Sequence, residues 1–124
     1  MSAACESANF ALASLLGWTD IVKVGAGALL GRPPSGAAAC RGQVAVPDWC
    51  GSWAACGPLM VEHRCVPELG LLDRNLVYVM RGGEPLGHLV VSDFPSYDHA
   101  VRTAIVYGII SRLKRRSKTE KAAA

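Results

Sequence analysis

At 124 residues, about half of them apolar and 19% charged, the chain has material for one hydrophobic core and too little for two, and its composition excludes global disorder. The net charge of +3 hides an uneven distribution. Residues 112–124 hold six basic residues against one acid, whereas residues 1–111 hold seven basic and nine acidic, so the surplus positive charge lies in the last stretch.

The stretch Met1–Trp18 lacks a basic opening and is interrupted by Glu6, which argues against a signal peptide. The apolar runs around Phe10–Leu16 and Ala104–Ile110 fall well short of the ~20 residues of a membrane span, so a cytoplasmic location away from membranes is expected. Five cysteines (Cys5, Cys40, Cys50, Cys56 and Cys65) make an odd count with no Cys-x-x-Cys pair. In a reducing compartment they are expected to behave as small buried hydrophobes.

In chain order, Ala4–Leu16 reads as a helix with Phe10, Leu12, Leu15 and Leu16 at helical spacing, ended by Gly17 in the left-handed conformation with Trp18 folded over the end. Ile21–Val24 is a short extended segment. Residues 25–42, rich in glycine and alanine and holding Pro33-Pro34, are expected to form a long loop closed by a brief strand at Val44–Val46. Asp48 is the expected N-cap of a short helix to Cys56; Pro58 is expected to break it and open a second helix to Cys65, with Pro67 preventing continuation. Leu76–Met80 and Gly87–Val91 form a predicted antiparallel hairpin around Arg81–Pro85, with Pro85 outside the paired part and a third strand recruited from Val44–Val46 or Ile21–Val24. From Tyr97 to Leu113, Val101, Ala104, Ile105, Ile109 and Leu113 form an apolar stripe that Val106 and Ile110 widen, which predicts a central helix capped by Ser96. The predicted fold is a single α+β domain over residues 1–113, its small antiparallel sheet packed against that helix; residues 114–124 form a basic tail, frayed from Lys118.

Candidate chemistry is sparse. The run Gly25-Ala-Gly27-Ala-Leu-Leu-Gly31 loosely resembles a phosphate-binding glycine loop, but its third glycine is one residue late and the proline pair truncates the helix such a loop must open. Cys50, Cys56, His63 and Cys65 match no standard zinc spacing, and no feature singles out an activated thiol. Asp98 and Arg102 lie four residues apart on one helix and are expected to form an ordinary surface ion pair beside His99. No catalytic residue, cofactor or metal is therefore expected, and an enzyme is not.

Two interaction readings remain. Trp49 and Trp53, one turn apart, are more often core residues, but they are what the sequence offers as a protein-partner anchor. Arg112, Lys114, Arg115, Arg116 and Lys118 offer the alternative, a weak contact with nucleic-acid phosphates, which the absence of interleaved aromatics disfavours.

The segments Leu30-Gly-Arg-Pro-Pro, Val46-Pro-Asp-Trp49, Trp53-Ala-Ala-Cys-Gly-Pro-Leu-Met60 and Asp98-His-Ala-Val-Arg-Thr-Ala-Ile-Val106 together resemble the small phage and prophage proteins of the NinX-like family. The resemblance covers about residues 8 to 113, without a landmark around Leu69–Asn75 and without the basic tail. It implies a phage-encoded accessory protein of uncharacterised role in the host cytoplasm and supplies no catalytic residues. A non-catalytic protein-binding module, self-associating or with another protein as partner, is the expected function.

Overall fold

The structure, a computed structural model, describes residues 3–25, 28–34 and 42–123, with side chains from Cys5 to Arg116 within those ranges. Its described elements are α1 (Ala3–Leu15), β1 (Thr19–Val24), β2 (Ala28–Arg32), β3 (Val44–Ala45), α2 (Trp53–His63), β4 (Val66–Leu69), β5 (Leu76–Arg81), β6 (Glu84–Val90), a 3₁₀ turn (Val91–Asp93) and α3 (Tyr97–Ala123). Two three-stranded antiparallel sheets result, ordered β1-β2-β3 and β4-β5-β6. The α+β class with a C-terminal helix against the sheet is as the sequence predicts.

The stripe on α3 explains its position. Val101, Ala104, Ile105, Val106, Ile109 and Ile110 are all buried, and α3 packs on α1, α2 and the β4–β6 sheet. Strand β5 meets it with Val77 and Val79, both buried, while the alternate residues Leu76, Tyr78 and Met80 are half-buried on the other face. At the helix start Ser96 acts as predicted: its Oγ accepts from the His99 N–H at 3.1 Å. The helical backbone then continues to Ala123.

Helix α1 buries Leu12 and packs Leu15 and Leu16 against the core, as their spacing suggested, but leaves Phe10 outside. Cys5, Ala8, Asn9, Leu12 and Ala13 are buried at helical spacing, and Phe10 is 46% exposed. Small residues on the inner face let α1 lie close to α3, and that fit outweighs the burial of one phenyl ring. Gly17, with φ of +101°, ends the helix as expected.

Four further expectations are corrected. The 25–42 loop contains β2, which pairs with β1 as a hairpin; the glycine run therefore joins two antiparallel strands and opens no helix. Ala26, Gly27 and residues 35–41 lie outside the described residues. Pro58 does not split α2: Ser52, not Asp48, caps it, and Pro58 sits inside one helix on its exposed side, so the carbonyl of exposed Ala54 loses its helical partner where solvent can supply another. The third strand of the main sheet is β4, which holds Pro67 at the sheet edge, whereas β1 and β3 belong to the other sheet. The β5–β6 turn is only Gly82-Gly83, whose φ angles of +59° and +83° suit a primed turn, and Pro85 is paired with Met80 beside a bulge.

Close packing between α3 and β5 depends on Gly108. A β-carbon there would lie 2.6 and 2.8 Å from the two γ carbons of Val79, itself fully buried. Replacing a mid-helix glycine by alanine ordinarily gains about 1 kcal/mol, but overpacking costs about 1–3 kcal/mol, and here the clash is with a side chain that has no room to turn. Gly108→Ala is therefore expected to lower the urea midpoint of unfolding, and adding Val79→Ala is expected to relieve the clash. A Gly108→Ala protein more stable than the parent would contradict this packing.

Candidate functional site

Asp48 ties α1 to the turn that leads into α2. Its Oδ1 accepts from Asn9 Nδ2 at 2.8 Å, from the Gly51 N–H at 3.0 Å and from the Cys5 thiol at 3.9 Å. Asn9, 1% exposed, uses its own Oδ1 to accept from the Cys50 N–H at 3.2 Å. This network satisfies polar groups that α1 carries into the core. Next to it the free Cys50 thiol donates a hydrogen bond to the Cys5 sulfur, which lowers the pKa of the Cys5 thiol and raises that of Cys50 well above the ordinary value.

The remaining cysteines of the suspected zinc set are dispersed. Cys56 donates to the Arg102 carbonyl at 3.9 Å and Cys65 to the His63 carbonyl at 3.6 Å. Burial pushes the Cys56 thiol up to about 11 against the pull of Arg102, and burial likewise raises Cys65. Among the described residues no group of three or more His, Cys, Asp or Glu is placed to hold a metal ion. Cys40 lies outside the described residues.

Trp49 and Trp53 do not form one patch. Trp49 is 5% exposed and belongs to the core, whereas Trp53 lies outside with the Arg102 guanidinium 5.4 Å from its ring centre. Arg102 also donates Nε to the Cys50 carbonyl at 2.8 Å and makes no ion pair with Asp98, contrary to the helical spacing. Stacking and a buried carbonyl hold it better than an exposed carboxylate does.

Two surfaces at opposite ends of the β4–β6 sheet stand out instead. At one end the β4–β5 connection, residues 70–75, presents Leu71 and Leu72 at 93% and 104% exposure. Its backbone is fixed nonetheless. The Gly70 N–H donates to the Leu76 carbonyl at 3.0 Å, and a β-carbon on Gly70 would fall 2.3 Å from the Asp73 carbonyl oxygen. Asp73 Oδ1 accepts from the Asn75 N–H at 2.9 Å. Asn75 in turn clamps the loop to the 3₁₀ turn: its Oδ1 accepts from the Ser92 N–H at 2.9 Å and its carbonyl from the Val91 N–H at 2.8 Å. The Tyr97 hydroxyl, at the start of α3, reaches the Arg74 carbonyl at 3.4 Å. Leu69, Leu71, Leu72, Leu76 and Tyr78, together with the acidic residues Glu68 and Asp73, border an open hollow of about 320 Å³. The sequence signal was available in the Leu-Gly-Leu-Leu-Asp run, where turn residues surround apolar ones, but periodicity does not register it.

At the other end, α2, β5 and α3 meet around His63, which is 8% exposed. Arg81 donates Nε to the His63 carbonyl at 3.1 Å, and Arg112 lies with Nη1 2.9 Å from His63 Nδ1. A guanidinium only donates, so Nδ1 must be the acceptor and the ring proton resides on Nε2. That Nε2 is buried without a partner in the structure. Burial depresses the His63 pKa, and Arg112, Arg116 and Arg81 add to the effect against the opposing Glu62. Lys114, Arg115 and Arg116 lie exposed beyond the core, and the side chain of Lys118 lies outside the described ones. The sequence pointed to the tail alone; Arg81 joins it only because β5 ends beside α2.

Comparison with protein-family models, curated proteins and solved structures returned no match to the chain. Among the described residues no helix is long and apolar enough to cross a membrane.

The neutral state of His63 has a pH signature. Its folded pKa is depressed, so the unfolded chain binds the proton more readily, and stability falls as pH drops below about 6.5 toward the folded value. His99, whose pKa is lowered chiefly by burial, acts in the same direction. His63→Gln is expected to flatten, without abolishing, the loss of stability between pH 7 and pH 5 in urea titrations. A slope identical to that of the parent protein would contradict the assignment.

Proposed function

We propose that the protein is a non-catalytic accessory module that acts by binding protein, with the Leu71–Leu72 loop as its anchor and a second copy of the chain as the occupant. The observation that carries this reading is the exposure of two leucines on a loop whose backbone is already fixed by hydrogen bonds. Apolar side chains carried on a loop anchored at both ends gain from burial with a smaller cost of ordering the backbone. Surfaces of that kind mark contact sites more often than isolated exposed leucines do.

A second copy is favoured because the same patch holds both projection and recess. Leu71 and Leu72 stand beside the hollow bordered by Leu69, Leu76 and Tyr78. A two-fold contact requires a self-complementary surface of this sort, each copy presenting its leucines to the other's hollow. Leu69, exposed at the end of the edge strand β4, extends the apolar area beside the hollow. The resemblance to NinX-like proteins adds a phage or prophage setting in the host cytoplasm.

Substituting both leucines by serine is expected to leave stability within about 0.5 kcal/mol, since neither side chain is buried. Each leucine withdrawn from an interface removes about 1.5–3 kcal/mol of burial. Sedimentation velocity is therefore expected to show a concentration-dependent dimer for the parent protein and at least a tenfold weaker association for Leu71→Ser/Leu72→Ser. A parent protein that stays monomeric at high concentration, or a variant that dimerises equally well, would contradict the proposal.

A further inference from the structure

We propose that the end of the molecule where α2, β5 and α3 meet is a binding site for the phosphodiester backbone of nucleic acid, built by Arg81 together with Arg112 and Arg116 around His63. The site is independent of the leucine loop, which lies at the opposite end of the sheet. What distinguishes it from a solvated helix end is tertiary convergence. Arg81 comes from β5 and Arg112 from α3, and both reach His63, the first at its carbonyl and the second at its Nδ1, with Arg116 one turn beyond Arg112 on the same helix.

Arg81 and Arg112 each use one donor on His63 and retain others of the five that a guanidinium carries. Among the described residues neither Arg81 nor Arg112 lies within ion-pair distance of a carboxylate. Glu62 and Glu84 are the nearby acids in the chain, and Arg64, exposed at the end of α2, adds to the cations. His63 lies buried beneath the guanidiniums of Arg81 and Arg112, held as the neutral tautomer by the contact of its Nδ1 with Arg112. Phosphate accepts from forked guanidinium donors in the geometry that arginine offers. Arg115 and Arg116, exposed three and four residues beyond Arg112, share its face of α3 and carry the charge past the core, an extent that suits a polymer better than a single ion.

The test is fluorescence anisotropy of a labelled single-stranded DNA oligonucleotide against the full chain at several salt concentrations. The parent protein is expected to bind at low salt. Arg81→Gln, which leaves the tail intact, is expected to weaken binding severalfold and to reduce the slope of log K against log salt by about one, whereas Arg81→Lys keeps the charge and most of the affinity. Equal binding by Arg81→Gln, or no binding by the parent protein, would overturn the site. Should Arg81→Gln fail to fold, the parent protein still decides: in NMR titrations the His63 pKa is expected to rise when the oligonucleotide is added, and an unchanged His63 would overturn the proposal. Polyglutamate that competes as well as the oligonucleotide at equal charge would overturn the assignment to nucleic acid.

Discussion

The burial of one face of α3 against β5 is the constraint on which the rest of the structure depends. Ile105 and Ile109 are fully buried, Val77 and Val79 meet them from the sheet, and Gly108 lets the two backbones approach. Burying a large aliphatic side chain stabilises by about 1.5–3 kcal/mol, so these few residues outweigh any of the polar contacts nearby. Because α3 runs the length of the sheet, its two ends define the two surfaces of interest. Tyr97 touches the leucine loop at one end and Arg112 touches His63 at the other.

Around that spine, polar groups decide which of many apolar arrangements is adopted. Asn9 and Asp48 are unusual choices for an inner helix face and an approach loop, and each is explained by the other. A buried amide left without its partner costs about 1–3 kcal/mol, so the pairing selects a single placement of α1 over slipped ones. The thiols of Cys5 and Cys50 fill the remaining space beside it, as small buried apolar groups do. His63 is a comparable case at the other end of the molecule, where arginines from two elements close over the last turn of α2. Cations near a helix C-terminus are favoured by its dipole as well as by the exposed carbonyls.

Much of the framework was legible in the sequence because it follows from local periodicity. The α3 stripe, the Ser96 cap, the Gly17 stop and the β5–β6 pairing all rest on spacings within a few residues. What was not legible depends on contacts between distant segments. The inner face of α1 is chosen by small residues fitting α3, so Phe10 is left outside although it is the largest apolar side chain of the helix. Strand β2 hides in a glycine-rich stretch because pairing with β1, not β propensity, makes it a strand. Ser52 takes the place of Asp48 as the cap because α2 begins only at Trp53, while Asp48 closes the preceding turn on Gly51 and holds Asn9. Of the residues proposed from sequence as binding groups, Trp49 went into the core, and Arg112 gained significance through His63, which no spacing rule connects to it.

Seen this way, the molecule is a rigid helix-and-sheet body that presents a pre-ordered apolar loop at one end and a convergent basic surface at the other. Native-state hydrogen exchange tests the central claim, that α3 is the stable spine between them, most directly. The amides of Ala104–Ile110 and of Val77 and Val79 are expected to exchange slowest, only through global unfolding, while those of α3 beyond Arg116 exchange fastest within the helix. Exchange of Ala104–Ile110 as rapid as that of exposed segments, with β5 still protected, would show that α3 does not hold the structure together.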